Sequence, residues 1–116
     1  MADQTMTVTN LTASITDLAA HANSLAGNAA GADWWYMPND GHTVLLVDAV
    51  TGDTWTFTAV ADKFGRTETY TLVLASGKWG TTKTMLPELW NQSNGCVKFK
   101  PTVGNAGDKL LAVRIP

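Results

Sequence analysis

The side chains able to carry chemistry are few in this sequence and stand far apart. The histidines are His21 and His42, and the single thiol is Cys96. A Cys/His or Ser/His/Asp site would need His42 brought next to Cys96 or to a serine. Ser14, Ser24, Ser76 and Ser93 all lie outside any G-x-S-x-G elbow, the turn that presents a nucleophile between strand and helix. A metal site wants three or four Cys, His, Asp or Glu ligands on rigid elements, and two distant histidines with one cysteine make no such set. Asp48, Asp53, Asp62 and Glu68 could meet at a sheet end, but scattered surface carboxylates are the simpler reading. The Gly77-Lys78 pair lacks the spacing of a phosphate-binding loop and precedes no helical pattern. The expectation is a protein without catalytic residues, cofactor or metal, and not an enzyme.

The residues that ask for an explanation are aromatic. Every Trp, Tyr and Phe lies beyond Asp33, beginning with Trp34-Trp35-Tyr36-Met37-Pro38. Neighbouring residues of a strand point to opposite faces, so Trp34 and Trp35 cannot enter one core together. Exposed tryptophan and tyrosine are typical interface anchors. Trp34, Trp35, Tyr36 and Met37 are therefore candidate partner-binding residues. A basic patch of Lys98, Lys100, Lys109 and Arg114 reads as a solvated face or the rim of a protein-binding surface.

The elements that must position these side chains follow from composition and periodicity. The chain has 116 residues, enough for one domain, with 45% hydrophobic residues, 16% charged residues and a net charge of −2. That balance argues against nucleic-acid binding, which needs clustered Lys and Arg. Apolar runs are too short to span a bilayer as a helix, so no membrane is expected. One cysteine excludes an internal disulfide, and the first residues read as lacking a signal peptide, so synthesis in a cytoplasm is expected.

Residues 1–32 carry few large apolar groups: Met6, Val8, Leu11, Ile15, Leu18 and Leu25. They read as an N-terminal arm ordered mainly by contact with something else, with Val8, Leu11, Ile15 and Leu18 as partner-binding candidates. Helix-like spacing from Leu11 to Leu25 admits a short helix near residues 14–25, although Thr7, Val8, Thr9, Thr12 and Ile15 are β-branched and disfavour one.

Residues 33–116 read as strands. Residues 42–50 form an almost unbroken apolar run, suited to a strand buried on both faces. Residues 54–60 alternate, with Trp55, Phe57 and Ala59 opposite Thr54, Thr56 and Thr58. The Thr51-Gly52-Asp53 link predicts a hairpin between these two runs. Further strands are expected at 67–75, 79–86, 96–100 and 108–115, with turns at Ser76-Gly77 and Asn94-Gly95. The fold class is all-β, an antiparallel β-sandwich or small barrel of about six to eight strands.

The order of the pieces from Asn39 to Ile115 resembles the small β-sandwich head proteins of tailed bacteriophages, of the decoration or cement kind. The matching pieces begin with Asn39-Asp40-Gly41-His42-Thr43-Val44-Leu45-Leu46-Val47, the strand Thr54-Trp55-Thr56-Phe57, the Gly65-Arg66 turn, Thr69 to Leu74 and Ala75-Ser76-Gly77. Leu86-Pro87-Glu88-Leu89-Trp90-Asn91, Asn94-Gly95-Cys96-Val97-Lys98-Phe99 and the closing Leu111-Ala112-Val113-Arg114-Ile115 complete them. Residues 1–38 match no motif of that group. The resemblance implies a non-enzymatic virion protein on the capsid surface. Its partner would be the major capsid protein, and it would form a homo-oligomer, with a trimer favoured. Other readings are a head–tail joining, tail or fibre component, or a carbohydrate-binding β-sandwich using Trp34, Trp35 or Trp79 as a stacking platform.

Overall fold

The six runs expected beyond residue 42 each hold a strand, and the strands lie in two stacked sheets. The computed structural model describes residues 4–12, 23–24, 34–60, 69–105 and 107–115. In chain order the elements are β1 (Gln4–Thr5), β2 (Val8–Asn10), β3 (Asn23–Ser24), β4 (Trp35–Pro38), β5 (Thr43–Ala49) and β6 (Asp53–Thr58). They continue with β7 (Thr69–Leu74), β8 (Lys78–Thr81), α1 (Pro87–Trp90), β9 (Cys96–Pro101) and β10 (Lys109–Arg114). One sheet has the order β1-β4-β9-β6-β7. The other runs β2-β10-β5-β8, and β3 shares with β2 the outer edge of β10.

From β3 onward every pairing is antiparallel, in the orders β4-β9-β6-β7 and β3-β10-β5-β8. That is the strand order of a double Greek-key jelly roll. The β-sandwich expected from the sequence is therefore present. The hairpin expected between residues 42–50 and 54–60 is not. β5 pairs with β10 and β8, whereas β6 pairs with β9 and β7, so residues 50–52 cross from one sheet to the other. A short glycine-bearing link marks a reversal of the chain equally well in either geometry. Here the corner is held by carboxylates: Asp108 accepts the Val50 N–H at 2.8 Å, and Asp53 accepts those of Val103 and Gly104 at 3.3 and 2.8 Å.

Alternation decides what each strand buries. Thr43, Leu45, Val47 and Ala49 of β5 face inward and are buried, whereas Val44, Leu46 and Asp48 are half-buried, so the run is only partly covered on its outer side. On the first sheet one aromatic from each of four strands forms a cross-strand row, Trp35–Phe99–Phe57–Tyr70. Phe57 stacks on Phe99 at 5.2 Å and tilts toward Tyr70 at 5.2 Å, and Trp90 of α1 closes the row edge-on at 5.9 Å. Such pairs add about 0.5–1.5 kcal/mol each beyond their burial. The second sheet answers this bulk with smaller side chains, Val47, Ala49, Gly80 and Ala112, which suits interdigitation at crystal-like density.

The N-terminal segment departs from its expected role. β1 pairs in parallel with β4, and β2 in parallel with β10, so residues 4–10 cap an edge of each sheet. Between them Met6 is 3% exposed and belongs to the core, and its N–H donates to the Tyr36 carbonyl at 2.8 Å. The Leu11 N–H likewise donates to the Arg114 carbonyl. An arm ordered by an outside partner is thus not what residues 4–11 form; they fold onto their own body. The segment lacks aromatics, and what holds it is hydrogen bonding to an edge of each sheet together with the burial of Met6. The helix expected near residues 14–25 falls mostly outside the described residues, and Asn23–Ser24 is strand β3.

Candidate interaction surface

The aromatic cluster splits between the two sides of β4, as its spacing requires. Trp35 and Met37 point inward and are 4% and 0% exposed. Both were expected to bind a partner; they are core residues instead, because their cross-strand partners Phe99 and Val97 face the interior. Trp34 and Tyr36 remain on the outer side and are half-buried.

Beside them runs β9, whose alternation places Val97 and Phe99 inward and Lys98 and Lys100 outward. Both lysine Nζ atoms lie 4.4 Å from the centroid of the Trp34 ring. Each contact contributes about 0.5–1 kcal/mol at a partly exposed site. Lys98 also lies opposite Tyr36 on one side and Thr58 on the other, and Lys100 lies opposite Thr56. Thr54, Thr56 and Thr58 of β6 with Thr71 and Val73 of β7 complete the face, and Val73 is 71% exposed. The described carboxylates lie elsewhere: Asp40 in the β4–β5 turn, Asp48 on the other sheet, Glu88 on α1, and Asp53 and Asp108 buried.

The four-residue basic patch read from the sequence is divided by the fold. Lys98 and Lys100 belong to the first sheet, while Lys109 and Arg114 are on β10 of the second. Arg114 is paired, its Nε donating to Asp40 Oδ2 at 2.5 Å. That bond, with a second from the His42 N–H, holds the Asp40 carboxyl below its ordinary 3.8.

Of the arm candidates, Val8 is half-buried against the core and Leu11 is 38% exposed. Ile15 and Leu18 lie outside the described residues. Val8 also lines an open cleft of ≈330 Å³ at one end of the sandwich, with Asn10, Pro38, Asn39, Asp40, Thr43, Gly95 and Arg114. Its two charged side chains are spent on each other, and neither His42 nor Cys96 lines it. Cys96 is buried, which pushes its thiol above the ordinary 9.0. Among the described residues no group of three or more His, Cys, Asp or Glu side chains gathers, and no helix is long and apolar enough to cross a membrane.

The signal for this surface was in part legible, since Lys98 and Lys100 alternate with core residues. Their meeting with Trp34 was not, because it depends on the antiparallel pairing of strands some sixty residues apart in the chain. Set against models of known protein families, curated proteins and solved structures, the chain matches none of them.

Proposed function

We propose that this protein is a structural virion component, a decoration or cement protein that binds the outer face of a tailed-phage capsid lattice and stabilises the head. The observation that carries this reading is the outer face of the first sheet. There Trp34 and Tyr36 stand among lysines and short threonine side chains on a regular sheet surface. Trp and Tyr are the residue types enriched as anchors at protein-docking faces. The resemblance over residues 39–115 points the same way, and the jelly roll, an architecture shared by viral capsid and lectin domains, is compatible with it.

Four strands about 4.8 Å apart and about six residues long give this face only about 400 Å². A standard interface buries about 800 Å² per partner. One contact of this kind is weak, and it gains strength when neighbouring copies engage a repeating lattice together. Self-association, with a trimer favoured, would supply that repetition.

Copy number in the particle that carries the protein tests the reading. Hundreds of copies per particle are the expected result, whereas about 6 or 12 would make it a head–tail joint or tail component. A second reading, carbohydrate binding, has its own observation in Trp79, which is 48% exposed on the outer side of β8. Trp35 is lost to it in the core, and Trp34 is held by its two lysines. Sugar-dependent quenching of tryptophan fluorescence that disappears in Trp79→Phe would favour that reading over the first.

A further inference from the structure

On the outer face of the first sheet, no carboxylate among the described residues stands beside Lys98 and Lys100. The two ammoniums share one indole at 4.4 Å each. They therefore lie within about 9 Å of each other, inside the screening length of about 10 Å at about 0.1 M salt, and act as one doubly positive field. Their cross-strand neighbours are Tyr36, Thr58 and Thr56, all neutral. Among the described residues the only carboxylate–cation pair is Asp40 with Arg114, at the end of β10 in the other sheet. A chain with net charge −2 thus turns a positive, aromatic-centred strip outward.

We propose that Lys98, Lys100 and Trp34 form the recognition strip of the docking face, and that its occupant is a protein surface bearing carboxylates. This deepens the decoration reading and rests on it for the identity of the lattice, though not for the chemistry of the strip. The ring holds the lysine stems along the sheet, so less rotamer entropy is lost when an incoming carboxylate forms charge-assisted bonds to Nζ. The threonine hydroxyls of β6 and the Tyr36 phenol stand alongside to bond the flanking backbone or side chains. Nucleic acid is the rival occupant, because an aromatic ring among cations can also stack a single-stranded base; two cations release few counterions, so the gain from phosphate is small here.

Two measurements on the full-length chain test the proposal. In the first, the isotopically labelled protein is titrated at low salt with a hexaglutamate peptide and, separately, with a thymidine oligonucleotide of equal charge. The peptide should move the Trp34 indole N–H and the amides of β4, β9 and β6, and salt should reverse it. Lys98→Glu with Lys100→Glu should weaken it at least about tenfold, while Lys78→Glu with Lys109→Glu on the second sheet should not. Shifts confined to the second sheet, no shifts at all, or tighter binding of the oligonucleotide on these same residues would each overturn the proposal. A Lys98→Gln, Lys100→Gln chain with unchanged melting temperature guards against misfolding and should lose the peptide response as well. In the second measurement the chains are pelleted with shells of the particle that carries the protein. Wild-type chain that pellets together with an equally retained charge-reversed chain sinks the recognition strip. Wild-type chain that stays in solution sinks the decoration reading and leaves the strip to the peptide titration.

Discussion

Asn39 and Asn91 are bonded to each other in both directions. The Asn39 Nδ2 donates to Asn91 Oδ1 at 2.8 Å, and the Asn91 Nδ2 returns a bond to the Asn39 carbonyl at 2.7 Å. Asn39 also donates to the Met85 carbonyl at 3.0 Å and accepts the Gly41 N–H, while Asn91 reaches the Gly95 carbonyl. Three connections at one end of the sandwich, those before β5, α1 and β9, are thereby tied through two side chains.

Removing the Asn39 amide strands the buried Met85 carbonyl and takes a partner from the half-buried Asn91. Asn39→Ala is expected to cost about 2–3 kcal/mol, the penalty of stranding polar groups away from water. Asn39→Asp should cost at least as much at neutral pH, because a carboxylate would face the Met85 carbonyl and Asn91 Oδ1. The Asn39→Ala, Asn91→Ala double variant should lose less than the two single losses added together, since both act on one network. Urea unfolding of the four chains measures this, and strict additivity would show that the two amides act separately.

Trp34 and Trp35 should separate stability from association. Trp35 lies in the aromatic row beside Phe99, and Trp35→Ala is expected to cost about 3–5 kcal/mol. Among the described residues neither the Trp35 nor the Trp55 indole N–H finds an acceptor. Trp35→Phe, which discards that unpaired donor along with some volume, should therefore be much milder than Trp35→Ala. Trp34→Ala should change the melting temperature little and weaken binding at the lysine strip. A larger melting shift from Trp34→Ala than from Trp35→Ala would reverse the assignment of the two faces.

The sequence made the sandwich legible because its signals are local. Alternation at Trp55, Phe57, Val97 and Phe99 states which side of each strand is inside, and Asn94-Gly95 turns the chain where Gly95 adopts φ +78°. Residues 4–11 were misread for the opposite reason. Short parallel edge strands gain their stability from partners at Tyr36 and Arg114, which no window around Met6 contains. The site followed the same division: Trp34 and Tyr36 could be named as surface anchors, but only pairing could exclude Trp35 and Met37 and bring in Lys98 and Lys100.

Gly80 leaves the space that Leu74 fills. A Cβ built on Gly80 would lie 2.2 Å from Leu74 Cδ2, so any side chain there must displace the leucine. Gly80→Ala is expected to cost about 1–3 kcal/mol through overpacking. Leu74→Val removes the offending methyl from that position, so it should be less damaging in a Gly80→Ala background than in the wild type. Equal cost in both backgrounds would show that the close approach is relieved by simple rotation of Leu74.

Two aspartates should give opposite pH signatures. Burial pushes the Asp108 carboxyl above its ordinary 3.8, with nearby Asp53 and Asp48 adding to the rise, although the Val50 and Asn105 N–H groups bond its charged form. A raised carboxyl means the folded chain binds the proton more tightly than the unfolded one. Its penalty is present at neutral pH and is relieved as pH falls through the folded value toward 3.8. Asp40 has the reverse sign: its pKa is lowered by Arg114, so its contribution is present above 3.8 and is lost as pH falls through the folded value. Asp40 is solvent-exposed and its effect should be small and sensitive to salt. Urea midpoints taken from about pH 7 to about pH 3 on wild type, Asp108→Asn and Asp40→Asn read both signs. The stability of wild type relative to Asp108→Asn should increase on acidification, whereas its stability relative to Asp40→Asn should decrease. A wild-type advantage over Asp108→Asn that shrinks with falling pH would mean that the Val50 and Asn105 bonds outweigh burial. The carboxylate would then be a net stabiliser of the corner between β5 and β6.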